Sequence, residues 1–146
     1  MDFSEVPARL QALPSYALTQ AAARAGQLAA ECVAQLGASK AAYGMLAVIE
    51  EFGPSSQADL GRRLTMDRRS VSEGAARLEH GGLVSRGPDP ADSRRNKLEI
   101  TAAGRTLLAQ LDSAFQAMQD ELLGSLSPGD RAELGRLLAL IGGPAS

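Results

Sequence analysis

Apolar residues three and four positions apart run along this chain in successive stripes, broken where Leu83-Val84-Ser85-Arg86 and Lys97-Leu98-Glu99-Ile100 alternate instead. A period of 3.6 and a period of 2 require different backbones, so the pattern dictates a set of helices interrupted by one pair of short strands. Composition points the same way. Ala (26) and Leu (21) supply most of the apolar residues, whereas Val (5) and Ile (3) are few, which favours helix over sheet. At 146 residues the chain is expected to form a single domain, 1–146.

The stripes can be placed in order. Leu18, Ala22, Ala25, Ala29, Cys32 and Leu36 define a helix from near Pro14 to Gly37. Ser39 caps a second one carrying Ala42, Met45, Leu46 and Ile49, which stops at Gly53-Pro54. Ser56 stands three residues before Asp59, a capping-box-like start for a two-turn helix with Leu60 and Leu64. Asp67 caps a fourth helix that buries Val71, Ala75 and Leu78 and closes at Gly81-Gly82. Gly87-Pro88-Asp89-Pro90-Ala91-Asp92 is turn chemistry, which predicts a hairpin with a long, charged tip. Thr101 caps a helix of roughly 24 residues striped by Leu108, Leu111, Phe115, Met118 and Leu122, about 36 Å long. Ser127-Pro128 starts the last helix, with Leu134, Leu137, Leu138 and Ile141 on one face. Two short helices joined by a tight turn and followed by a hairpin are the outline of a winged helix-turn-helix. The fold class expected is therefore mostly α with a small β-hairpin wing: a reading lobe over 38–100, flanked by helical regions over 13–37 and 101–142.

Several function classes are excluded early. With Cys32 the only cysteine and His80 the only histidine, there is no His/Cys cluster for a metal and no internal disulfide. No phosphate loop or Ser/His/Asp arrangement is visible, so neither an enzyme nor a cofactor is expected. No apolar run approaches the roughly 18 residues of a membrane helix, and the acidic start Met1-Asp2-Phe3-Ser4-Glu5 lacks a signal-peptide charge pattern, which implies the cytoplasm and no membrane partner. The net charge of −2 argues against a generic polyanion binder, but its distribution does not. Ser56 to Lys97 holds nine basic and six acidic residues, a net +3, and the rest of the chain holds six and eleven, a net −5. One segment can face a polyanion while the remainder is repelled.

The fourth helix has an outer face to explain. Opposite Val71 and Leu78 it presents Arg69, Glu73, Ala76 and His80, flanked by Ser72 and Arg77, and its first turn offers Arg68, Arg69 and Ser70. Arginine can bond guanine O6 and N7 in a major groove, while Ser and backbone N–H groups reach phosphate. Charge alone leaves an ordinary solvated face as the plainer reading. Glu73 opposes phosphate; it either accepts from cytosine N4 or bridges Arg69 and Arg77, each four residues away, and the spacing favours the bridge. Gly74, costly in mid-helix by about 1 kcal/mol, faces near the core and is expected to permit close packing.

The hairpin tip shifts the balance. Asp92-Ser93-Arg94-Arg95-Asn96-Lys97 followed by Leu98-Glu99-Ile100-Thr101-Ala102-Ala103-Gly104 resembles the D-x-R-R, strand, L/I-T-x-x-G signature of the MarR (multiple antibiotic resistance regulator) family. Gln57 to Leu64, Val71-Ser72, Arg77-Leu78-Glu79 and Gly82-Leu83-Val84 are similar to the same family at matching spacing. The resemblance covers Lys40 to Gly104. It implies a homodimeric, ligand-responsive transcription regulator, in the form of a bacterial repressor, that lays one recognition helix per subunit in the major groove of a pseudo-palindromic operator. By position, Arg94 would enter the minor groove, Asp92 would orient it, and Arg95 and Lys97 would serve phosphates. DNA-binding residues are thus expected at Arg68, Arg69, Ser70, Ser72, Glu73 and Arg77 on the helix and at Asp92, Arg94, Arg95 and Lys97 on the wing.

Partners follow from the rest of the chain. The last two helices show nine large apolar side chains on two stripes, more than a reading lobe of about 60 residues can cover, so a second copy is expected to cover them. The resemblance also allows a small aromatic effector, for which Tyr16, Tyr43, Met45 and Phe52 are candidates, each equally readable as plain core. Cys32 lies on an apolar stripe and reads as a small buried hydrophobe. The alternatives are a winged-helix protein-interaction module without DNA binding, motivated by Glu73 and the net acidity, and a redox-sensing regulator based on Cys32. A protein-docking wing would have no need of Asp92, Arg94, Arg95 and Lys97 together, which favours DNA.

Overall fold

Each helix expected from a capping residue begins on that residue. The structure, a computed structural model, describes residues 5–89 and 91–142, with the backbone alone for residues 89 and 92–95. Its helices are α1 (Ala8–Gln11), α2 (Pro14–Ala34), α3 (Lys40–Phe52), α4 (Gln57–Leu64), α5 (Arg68–His80), α6 (Ala102–Leu122) and α7 (Pro128–Ile141), and strands β1 (Val84–Asp89) and β2 (Asp92–Ile100) lie between α5 and α6. Ser39 Oγ accepts from the Ala42 N–H at 3.1 Å, Thr101 Oγ1 from Gly104 at 3.1 Å and Ser127 Oγ from Asp130 at 3.1 Å. Ser56 and Asp59 form a reciprocal box in which each side chain accepts from the other's backbone N–H. Such a cap needs only residues three apart, which is why it is legible in the sequence.

Four boundaries differ from expectation. α2 ends at Ala34, three residues short of Gly37, whose φ of 67° belongs to the turn into α3. α6 has 21 residues rather than 24. α1, a single turn that buries no residue, carries no stripe and was not foreseen. The strands are longer than expected, pairing antiparallel from Val84 with Ile100 out to Pro88 with Asn96, and then, after a register shift, Asp89 with Asp92. Much of the span expected as a loose tip is therefore ladder. Pro88 is tolerated because β1 is an edge strand, where a missing N–H breaks no second ladder. On the other side of β2, Leu98 exchanges backbone hydrogen bonds of 3.0 and 2.8 Å with Ser55, which anchors the wing to the start of α4.

The core belongs to the lobe. Met45, Leu46, Leu60 and Ala75 are fully buried, and Ile49, Val71, Leu78, Val84 and Leu98 nearly so, in one cluster that Leu108 of α6 completes. Gly104 joins the long helix to the hairpin: a Cβ at this position would fall on the Leu83 carbonyl oxygen and 2.8 Å from Ile100 Cγ1. The T-x-x-G sequence is thus a cap followed by the one residue small enough to let α6 rest on the Leu83 backbone, just before β1.

The expectation about the terminal stripes needs correcting. Leu108, Leu111 and Met118 of α6 are buried within the chain: Leu108 belongs to the lobe cluster, and both α2 and α3 pack against α6. No residue of α7 is buried; Leu137, Leu138, Leu140 and Ile141 remain exposed, as do Leu10, Leu13 and Leu18.

Candidate nucleic-acid interface

The pair α4 and α5 is held at a close angle by small residues and one unusual backbone position. Thr65, the C-cap of α4, adopts a left-handed conformation with φ 53°, which costs a residue with a Cβ about 1–2 kcal/mol. It brings the Met66 N–H back to the Gly61 carbonyl at 3.0 Å. A Cβ on Gly61 would sit 3.2 Å from the Met66 oxygen and 3.5 Å from Val71 Cγ2, so α4 approaches the turn nearly backbone to backbone. Asp67 then starts α5, its Oδ1 accepting from the Ser70 N–H at 2.7 Å and its Oδ2 from the Ser70 hydroxyl at 3.0 Å. The Ser70 N–H, followed by that hydroxyl, holds the Asp67 carboxyl below the usual range, so it stays ionised at the positive end of the helix dipole.

α5 has one face in the core and one in solvent. Val71, Ala75 and Leu78 are buried, and Gly74 admits Met45, whose Sδ lies 2.9 Å from where a Cβ would be; the close packing expected at Gly74 is present. Arg68, Arg69, Ser72, Glu73 and Arg77 are exposed, and Ser70 is half-buried with its hydroxyl proton directed to Asp67. Arg69 Nε donates to Glu73 Oε1 at 3.0 Å. Half of the expected bridge therefore forms, and Arg77 does not join it.

The wing is fixed to this helix. Arg86 Nε of β1 donates to Glu79 Oε2 of α5 at 2.9 Å, and Thr101 Oγ1 donates to the Gly82 carbonyl at 2.7 Å. Asp92, Arg94 and Arg95 fall on the backbone of β2, and their side chains lie outside the described residues. Lys97, half-buried, stands opposite Gly87 in the ladder.

One element of the interface was missed by sequence reasoning. A groove of about 570 Å³ runs along α4 and past the turn to the start of α5, lined by Gln57, Gly61, Arg62, Met66, Arg68 and Val71. Arg62 and Arg68 thus flank one depression, with Arg62 held by Asp59 at 3.3 Å. Two arginines ending a two-turn helix were the available signal, but that they share a groove with Arg68 depends on the angle between helices. Arg63, beside them, lies over the Phe52 ring, 3.7 Å from its centroid.

The aromatic candidates do not gather at one place. Met45 fills the lobe core and Phe52 is exposed beneath Arg63. Tyr43 donates to Asp112 Oδ1 of α6 at 2.8 Å and meets the Phe115 ring at a centroid distance of 4.5 Å. The hydrogen bond to Asp112, followed by burial and the carboxylate charge, raises the Tyr43 pKa. Cys32 is buried.

Comparison with known proteins agrees with this geometry. The MarR family model matches residues 36–95, the lobe with its wing. The transcriptional repressor NicR of Pseudomonas putida is 32% identical over 93 residues, 64% of this chain and 59% of that protein's length, so the chain spans about three fifths of that curated relative. A crystal structure of a probable transcriptional regulator from Pseudomonas aeruginosa superposes with a TM-score of 0.80 at 30% identity, covering 90% of this chain and 98% of the other. Bordetella bronchiseptica BpsR, whose DNA binding is regulated by 6-hydroxynicotinic acid, shares the fold at a TM-score of 0.83 and 21% identity, over 95% of this chain and 99% of its own. On the family match across the lobe and the near-complete overlap with a solved relative, the chain belongs to the MarR family of winged-helix transcription regulators.

Proposed function

We propose that this protein is a cytoplasmic DNA-binding transcriptional repressor that acts as a homodimer on a pseudo-palindromic operator and releases it in response to a small aromatic effector. The observation that carries the reading is the two-sided α5, whose inner face is locked by Val71, Ala75 and Leu78 while Arg68, Arg69, Ser72, Glu73 and Arg77 stand in solvent. A helix presented in this way by a tight turn fits the major groove, where arginine forks pair with guanine. The groove flanked by Arg62 and Arg68 suits a phosphate on the same strand, with Ser70 closing the first turn. Asp92, Arg94, Arg95 and Lys97 are assigned to the flanking minor groove and its phosphates, since a narrow minor groove attracts inserted arginine.

Residues 38–100 form the reading lobe in this proposal, and the segments 13–37 and 101–142 form the dimer. The exposed leucines of α1, α2 and α7 support the second assignment: each buried large aliphatic side chain contributes roughly 1.5–3 kcal/mol. NicR, a repressor, and BpsR, with its hydroxylated aromatic acid, support the mode and the effector class.

Selection of binding duplexes from a pool randomised over about 25 base pairs tests the reading. The expected product is an inverted repeat with half-sites about 10 base pairs apart, bound by a particle of twice 15.2 kDa. Recovery of no common sequence, or a mass that stays near 15.2 kDa at high concentration, would refute it.

A further inference from the structure

We infer that Glu73 is a positioning residue that aims Arg69 at a base and at the same time lowers affinity for DNA of any other sequence. The inference rests on the DNA-binding reading above. The carboxylates around α5 have separate tasks. Asp67 caps the helix and Glu79 holds the wing through Arg86. Among the described residues Glu73 pairs with Arg69 alone, at 3.0 Å, in the middle of the face assigned to DNA. There it repels phosphate, an unfavourable placement unless it does something to the arginine.

What it does follows from which nitrogen it takes. Glu73 Oε1 accepts from Nε, which leaves the two Nη amino groups as an end-on fork, the shape that matches guanine O6 and N7. The Arg69 side chain is 89% exposed and Glu73 58% exposed, so an untethered arginine would sweep solvent and settle on whichever phosphate came near. In water such an exposed pair is weak. Inside a groove the screening falls and the same pair holds harder. The carboxylate therefore trades sequence-independent attraction for aim.

The test uses wild type, Glu73→Gln, Arg69→Ala and the double variant. Each is titrated on the duplex that wild type selects from a randomised pool, on that duplex with single base changes, and on sonicated mixed-sequence DNA. Glu73→Gln should bind mixed-sequence DNA about threefold more tightly per recognition helix, the effect of removing one charge roughly 7 Å from a phosphate in water. Its preference at one G·C pair per half-site should fall by about fivefold or more. Its salt slope should steepen by about one per helix as Arg69 moves to phosphate. Arg69→Ala should lose preference at the same pair, and the double variant should lose no more than Arg69→Ala. Intact preference in Glu73→Gln overturns the inference while leaving the DNA-binding reading in place, and a uniform loss on all duplexes does the same. So does a further change in preference when Glu73→Gln is added to Arg69→Ala, because Glu73 would then contact the base itself. Wild type that selects no sequence removes both.

Discussion

The winged-helix lobe and the terminal helices are built from the same sequence device, an apolar stripe at helical spacing, and end in opposite states. In the lobe the stripes of α3, α4 and α5 meet one another and the hairpin, and Met45, Leu46 and Leu60 have no exposed surface. In α7 the stripe meets nothing comparable, and Leu140 and Ile141 are 72% and 71% exposed. Periodicity states that a face will be covered; it does not state by what. α6 shows both outcomes are close neighbours, since much of its stripe, expected to need a second chain, is covered by α2 and α3 of the same one.

The strongest way to break this contrast is to remove large side chains from each region in turn. Leu46→Ala should destabilise the fold by about 2–5 kcal/mol in urea unfolding, through lost burial and the cavity left behind. The pair Leu140→Ser and Ile141→Ser should leave the unfolding of the lobe within about 0.5 kcal/mol while abolishing the dependence of the unfolding midpoint on protein concentration. A lobe that unfolds early in the second variant would mean the two regions are one cooperative unit.

Glycine substitutions sharpen the contrast at intermediate size. Gly104→Ala drives a methyl group onto the Leu83 carbonyl and should cost about 1–3 kcal/mol or more, read from the thermal midpoint. Gly135 of α7 has open space around it, so Gly135→Ala should stabilise by roughly 0.5–1 kcal/mol through helix propensity. The same chemical change thus carries opposite signs in the two regions.

The smallest effect expected is electrostatic and confined to the lobe's helix starts. Asp59 is lowered chiefly by the Ser56 N–H and then by the Ser56 hydroxyl, and Asp67 by Ser70. A carboxylate with a depressed folded value contributes stability that is complete above its unfolded value near 4 and is lost as pH falls through the folded one. Urea unfolding repeated between about pH 5 and pH 2 should therefore show a decline that is shallower in Asp59→Asn than in wild type. An identical decline would remove the Asp59 cap from the acid sensitivity of the fold.

How much of this was legible in the sequence depends on the distance over which each feature is decided. Ser39, Ser56, Asp67, Thr101 and Ser127 were readable because each acts on an N–H three residues away. The wing was readable in place but not in length. Gly87, Pro88 and Asp89 favour turns locally, while pairing with residues on the returning strand decides whether they extend. The outer face of α5 was readable from the helical wheel. Its pairing with the groove at Arg62 was not, since that depends on the left-handed Thr65 and on Gly61, which set the helices' angle. Glu73 was foreseen between two arginines and chose one, a rotamer-level outcome that spacing alone leaves open.

The contact at Gly104 has a mechanical consequence. With no side chain between the start of α6 and the Leu83 backbone that leads into β1, the joint has no cushion. The wing is also clasped to α5 through Arg86 and Glu79, so α6, hairpin and α5 form one lever. A 21-residue helix is about 30 Å long, and a tilt of about five degrees at one end displaces the other by roughly 2.6 Å. That is comparable to the length of a hydrogen bond. A shift at the far end of α6 is thus levered onto the hairpin and the α5 that Arg86 holds.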